Sequence, residues 1–209
     1  MLKDVLFQAI PRCGSLSIID AFKSYGLRTY CTPEEMRDFD NHGWTALVNM
    51  PIDRCLKNGI IGYRYNRDAF KFAFVRHPYS RFASLFAHHT RIHGLFYDMG
   101  MLEFAEYVKD RREDFKTLPL RCGEIHRVAP QSRWLYNSAG KQLFNGLGYI
   151  ERDDTWSALC LTLQVKQYPL LLLNNDDSAN DALRYMDTDV LRIVRNVYEE
   201  DFDHFKFTR

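Results

Sequence analysis

The spacing of apolar residues changes character twice within the first thirty positions. "DVLFQAI" (4–10) is an apolar run broken only by Gln8, the pattern of a strand buried on both faces. A turn containing Pro11, Gly14 and two serines follows, after which Ile18, Ile19 and Phe22 recur at helical spacing until Gly26. The stretch therefore reads strand, loop, helix. "AFKFAFV" (69–75) repeats the near-continuous apolar run and predicts a second buried parallel strand, with Pro78 placed to open a helix just beyond it. On that helix Phe82, Leu85, Phe86 and His89 share a face expected to pack inward, while Arg81, Ser84 and His88 fall at i, i+3 and i+7 on another.

Residues 31–66 are mixed, with "TPEEM" marking a helix start: Pro33 suits the first helical position, and Glu34 and Glu35 suit the positive end of the dipole. "MLEFAEYVKDRRED" predicts a further helix, "LRCGEIHRVAPQSRW" a loop, "GLGYIE" a short strand, and two amphipathic segments close the chain. In the last of them Val197, Phe202 and Phe205 should pack on the sheet, with the acidic positions around them solvated. Strands alternating with helices indicate an α/β fold with a central parallel sheet flanked by helices.

A length of 209 residues suits one globular domain spanning 1–209. No window is apolar enough for a membrane span, and the N-terminus lacks a secretory signal, so the chain reads as cytoplasmic unless an anchor has been trimmed from it. Cys13, Cys31, Cys55, Cys122 and Cys160 are widely spaced without a C-x-x-C pair, which predicts reduced thiols and no structural metal. A formal net charge of +1 argues against a nucleic-acid partner. The charge is uneven, however: Arg64, Arg67, Lys71, Arg76 and Arg81 stand against Asp68 alone, which suits a small anionic ligand beside the second strand.

A loop that joins a buried strand to a helix gathers free N–H groups and a positive dipole end at one point. In "IPRCGSLSI", Gly14 allows close backbone approach, Arg12 adds a charged fork, and Ser15 and Ser17 offer hydroxyls. The stretch has no Gly-Lys-Ser/Thr of the nucleoside-triphosphate loop. In "FAFVRHPYSRFASLF", Arg76 at the strand end and Ser84 on the helix can hold a second phosphate. Two anion sites at neighbouring strand ends lie where open α/β sheets bind ligands.

These two segments resemble those of sulfotransferases, whose 5′-phosphosulfate loop reads Pro-Lys-x-Gly-Gly/Ser-Thr-Ser and whose 3′-phosphate segment reads Val-Arg-x-Pro-x-x-Arg-x-x-Ser. "HRVAPQSRWL", "GLGYIERDDTW" and "VRNVYEEDFDHFKF" are similar to the His-x-x-x-Pro-Gln, strand-Glu and Tyr-x-x-Asp-Phe-x-x-Phe segments of the carbohydrate branch that includes chondroitin, dermatan and heparan 2-O enzymes and bacterial members. The resemblance implies a P-loop-like three-layer fold and transfer of a sulfuryl group from 3′-phosphoadenosine 5′-phosphosulfate, without metal, to an acceptor glycan or small hydroxylated molecule. It implies that the loop from Arg12 through Cys13, Gly14, Ser15 and Leu16 to Ser17 holds the 5′-phosphosulfate, with Arg12 also catalytic. Arg76 and Ser84 would hold the 3′-phosphate, and Arg81 would support the loop. The family's lysine is Arg12 here, and its threonine is Leu16.

For the general base, His88 is the first candidate because it shares a face with Ser84; His42 in "DNHGW" is the second, and Glu124 or His126 the third. His77 is expected to orient the loop or face solvent, and Glu151 to orient the ligand side or form a structural ion pair. Trp134 and Tyr136 are either stacking platforms or core. Two other readings stay open: a P-loop kinase-like phosphotransferase, and a non-catalytic nucleotide-binding or scaffolding protein of the same fold.

Overall fold

Strand β1 (Val5–Ala9) is buried at every position and occupies the middle of a five-stranded sheet. The computed structural model describes all residues except 1, 33, 40, 49, 92–97, 118–126, 168–181 and 209. The sheet order is β2 (Arg28–Tyr30), β3 (Trp44–Val48), β1, β4 (Phe70–Val75) and β5 (Gly146–Tyr149), and all pairings are parallel. β1 and β4 therefore have neighbours on both edges and helices on both faces, which is why each is almost uninterruptedly apolar. Gln8, the exception, is satisfied inside: Nε2 donates to the Leu47 carbonyl at 3.3 Å, and Oε1 accepts from the Ile52 N–H at 2.9 Å.

The alternation of side chains divides the core. Val5, Phe7 and Ala9 of β1, with Phe72 and Phe74 of β4, face helices α1 (Ser15–Phe22) and α7 (Asp153–Leu163) through Ile18, Phe22, Trp156 and Leu159. Phe7 stacks on Phe72 with centroids 4.9 Å apart. On the opposite face, Leu6 and Leu47 pack with Ile52 of α2 (Ile52–Lys57) and Tyr65 of α3 (Tyr63–Asp68). Ala73 and Val75 pack there with Trp134 and Leu135 of α6 (Ser132–Leu135) and Phe205 of α9 (Glu199–Phe205). This is the expected three-layer α/β architecture. A further apolar cluster joins α4 (Pro78–Arg91), α5 (Met101–Asp110) and α8 (Thr188–Val197) through Phe82, Leu85, Phe104, Val108 and Ile193. Each such buried side chain contributes about 1.5–3 kcal/mol. No helix among the described residues is long and apolar enough to cross a membrane.

Two local expectations change. The helix expected at "TPEEM" is one 3₁₀ turn, Glu35–Asp38, opened by a capping box: the Glu35 carboxylate accepts from the Cys31 and Thr32 N–H groups, and Thr32 Oγ1 accepts from the Glu35 N–H. Pro33 lies outside the described residues. The mixed stretch also contains β3, whose polar Thr45 is 1% exposed, so its polarity hid a buried strand.

The order 2-3-1-4-5 sends the chain to opposite sides after β1 and after β4. The loops that follow these two strands thus flank the switch point of the sheet.

Candidate active site

From β1 the chain turns through Pro11–Gly14 and enters α1. The turn uses the left-handed region twice, at Arg12 (φ 65°) and Gly14 (φ 70°). At Gly14 the positive φ favours glycine, and a Cβ there would stand 2.7 Å from Ile150 Cδ1 and displace that side-chain end. Arg12 has no such excuse, and a non-glycine residue held there is a strain kept in place by its surroundings. The Cys13 N–H donates to the Ile10 carbonyl at 3.2 Å, and Ser15 Oγ donates to the same oxygen at 2.9 Å. Beyond them the first N–H groups of α1 lack intrahelical partners and carry the positive dipole end. Leu16 is exposed at this point and Ser17 is buried.

The Arg12 side chain reaches across to α4. Its Nε donates to Ser84 Oγ at 2.9 Å, and its Nη1 lies 3.5 Å from His88 Nδ1. A guanidinium has no acceptor, so a hydrogen bond in this contact runs from Arg12 to His88 Nδ1. Three expected site residues, Arg12, Ser84 and His88, are therefore brought together. Arg76, partly exposed, follows β4 directly and presents its own charge beside the same turn.

Arg81 shares a helical face with Ser84, and both are 1% exposed; the Arg81 side chain is directed beneath the loops. Its Nε donates to the Pro11 carbonyl at 3.1 Å, Nη1 to that of Ala129 at 2.9 Å and Nη2 to that of Arg127 at 2.9 Å. Its role is support, as the resemblance implied. Cys13 is also turned down: its thiol, fully buried, donates to Gln131 Oε1 at 3.1 Å. Burial pushes that thiol up to about 12, against the opposing charges of Arg81 and Arg76, so it stays protonated at neutral pH.

Sequence reasoning missed two residues here. Gln131 Oε1 also accepts from the Arg76 N–H at 2.8 Å, and Nε2 donates to the Arg76 carbonyl at 2.8 Å. Asp201, read as part of a solvated acidic run, is 0% exposed; its carboxylate accepts from the Gln131 and Ser132 N–H groups, each at 2.8 Å. Burial raises its pKa, while Arg81 and these hydrogen bonds act in the opposite direction. Tyr198 Oη donates to the Val128 carbonyl at 2.7 Å. The Pro-Gln and Tyr-x-x-Asp-Phe segments are thus partners, and their pairing was the available signal.

The remaining candidates divide by position. His77 anchors the second loop: its N–H donates to Glu151 Oε1 at 2.8 Å, and its ring packs on Tyr79, Phe202 and Phe207. Glu151 therefore orients this loop. His42 precedes β3, so it stands at the N-terminal edge of the sheet, opposite to the loops after β1 and β4. Glu124 and His126 lie outside the described residues. Trp134 is wholly buried core, and Tyr136 stacks on His204 with centroids 4.2 Å apart. His89 is buried against Phe104, and desolvation, with the charges of Arg127 and Arg12, lowers its pKa to about 4.

The arrangement suits binding and charge neutralisation of a ligand with two separated anionic groups, with one imidazole at hand. Residues 3–208 match the sulfotransferase family. The match spans nearly the entire chain, which belongs to that family. Neither a curated protein nor a solved structure matches it.

Proposed function

We propose that this member of the sulfotransferase family transfers the sulfuryl group of 3′-phosphoadenosine 5′-phosphosulfate to a hydroxyl of a carbohydrate acceptor. The observation that carries the reading is the meeting of Arg12, Ser84 and His88 between the loops after β1 and β4. The left-handed turn at Arg12 and Gly14, ahead of the α1 N-terminus, fits a 5′-phosphosulfate, and Arg76 with Ser84 fits a 3′-phosphate. The carbohydrate acceptor is supported only by the resemblance of the segments "HRVAPQSRWL", "GLGYIERDDTW" and "VRNVYEEDFDHFKF" to the carbohydrate branch.

When bound, the donor supplies a sulfuryl group whose bond to the phosphate oxygen breaks as a bond to the acceptor oxygen forms. Arg12 neutralises charge that builds on the departing phosphate oxygen; it acts by charge because it does not give up a proton. Arg76 and Ser84 hold the far end of the nucleotide, which fixes the geometry of transfer. His88 receives the proton of the acceptor hydroxyl at Nδ1 once Arg12 Nη1 has turned from that nitrogen to the donor phosphate.

The test is transfer of radiolabelled sulfate to a panel of hydroxylated glycans without added metal, paired with nucleotide titrations. Adenosine 3′,5′-bisphosphate should bind at least about tenfold more tightly than AMP, as one added charge-assisted phosphate contact predicts. Equal affinities overturn the two-site reading. Tight bisphosphate binding without transfer to any glycan would make the protein a nucleotide binder, and magnesium-dependent phosphate transfer from ATP would favour the kinase-like alternative.

A further inference from the structure

The β1–β4 ladder stops before it reaches the two loops it serves. Its last registered pair is Gln8 with Ala73, whereas the ligand loops are built around residues 12–17 and 76. Beyond that point Arg12–Ser84 and Arg81–Pro11 tie the first loop to α4, and the side chain of Gln131, 118 positions from Cys13 and 55 from Arg76, ties it to the residue that opens the second loop.

The Gln131 amide is 0% exposed and uses both its acceptor and its donor capacity. Oε1 accepts from the Cys13 thiol and the Arg76 N–H, and Nε2 donates to the Arg76 carbonyl and, at 3.3 Å, to Asp201 Oδ2. Rotating the amide by half a turn would set donor against donor and acceptor against acceptor at these partners, so a single orientation is allowed. Asp201 fixes the backbone of the same residue by accepting its N–H, and Arg81 ties the system to Pro11 from below. One arm of Gln131 thus ends in the middle of the first loop, between the two left-handed residues, and the other on the peptide of the residue that opens the second.

We propose that Gln131, seated on Asp201, is a positioning residue that couples the two anion loops, so that a ligand with both anionic groups meets both sites at their working separation. This rests on reading Arg12–Ser17 and Arg76–Ser84 as the two ends of one nucleotide site. Gln131 touches no ligand in this scheme; its effect is preorganisation, which favours the doubly anionic ligand over either half.

The experiment titrates the full chain with AMP, adenosine 3′-monophosphate and adenosine 3′,5′-bisphosphate. Gln131→Leu removes both arms and should reduce the preference for bisphosphate over AMP about tenfold while AMP affinity falls less than about threefold. Cys13→Ala cuts only the first arm and should reduce the preference about threefold; Cys13→Ser, which restores a donor of similar size, should return it close to the parental value. The cysteine pair decides the matter if Gln131→Leu does not fold. The proposal is overturned if Cys13→Ala keeps the parental preference, if Cys13→Ser loses as much as Cys13→Ala, or if AMP and bisphosphate affinities fall in step. A parental protein with no preference for the bisphosphate would instead overturn the nucleotide reading on which the coupling rests.

Discussion

Above and below the C-terminal edge of the sheet, the same residue types do opposite work. Arg12 and His88 face each other across the space between the two loops; Arg81 and His89, borne on the same helix as His88, are buried at 1% and 3% exposure. Arg81 spends its donors on three main-chain carbonyls. Three of the five N–H donors of that guanidinium are committed to the protein's own backbone and the side chain points away from the ligand loops' outer face, so where a cation's donors are directed, rather than residue type, separates scaffold from site.

The sharpest way to break this contrast is to truncate on the lower side. Arg81→Ala leaves the Pro11, Ala129 and Arg127 carbonyls without their donor, and removes a charge that opposes the burial of Asp201. A loss of about 3–5 kcal/mol is expected, as when one partner of a buried charged network is removed. Urea denaturation reads it as a lower midpoint. A midpoint close to the parental one would mean that the support role is misassigned.

The upper side should respond in turnover and affinity, with little change in that midpoint. Arg12→Ala should lower the saturated rate at least about a hundredfold, comparable with loss of one preorganised donor to a developing anion, while bisphosphate affinity falls less. Arg76→Ala should show the reverse: more than about tenfold weaker bisphosphate binding and a smaller change in saturated rate, because the charge it meets hardly alters during transfer. If both variants lose rate and affinity in the same proportion, the two arginines are not divided between catalysis and holding.

Much of the upper side was legible in the sequence because its signals are local. The runs at 4–10 and 69–75, Gly14, and the Pro78 helix start each state a strand, a turn or a cap within a few residues, and together they name Arg12, Arg76 and Ser84. The lower side depends on contacts 46 to 118 positions apart, which no local pattern encodes. Helical phase rightly put Arg81 with Ser84 against the first loop, but it does not show that the longer side chain runs beneath that loop to main-chain carbonyls. Asp201 sits in an acidic run whose other members, Glu199, Glu200 and Asp203, are exposed; only packing distinguishes it. β3 was missed for a related reason, since Trp44–Val48 carries a polar residue inside the sheet.

The two neighbouring histidines offer the gentlest discrimination between the sides, through pH. His89 has its pKa lowered from 6.5 to about 4, first by burial and then by the positive charges of Arg127 and Arg12. In the unfolded chain its imidazole takes up a proton near the ordinary value; in the folded protein it stays neutral until much lower pH. Between these values the unfolded state binds the extra proton, so the stability that His89 contributes is complete above about pH 6.5, declines as pH falls, and stops declining near the folded value. From pH 7 to pH 5.5 the loss should be on the order of 1 kcal/mol. His89→Gln keeps a polar side chain but cannot titrate there, so its stability should change less than the parental protein's over the same interval, the difference between the two curves isolating His89 from every other group. His88→Gln should reduce transfer instead, because its ring meets Arg12 in the site rather than the core. Identical slopes for the parental protein and His89→Gln would show that the imidazole takes up its proton at the same pH folded and unfolded, and the division of α4 into an upper and a lower side would lose its electrostatic support.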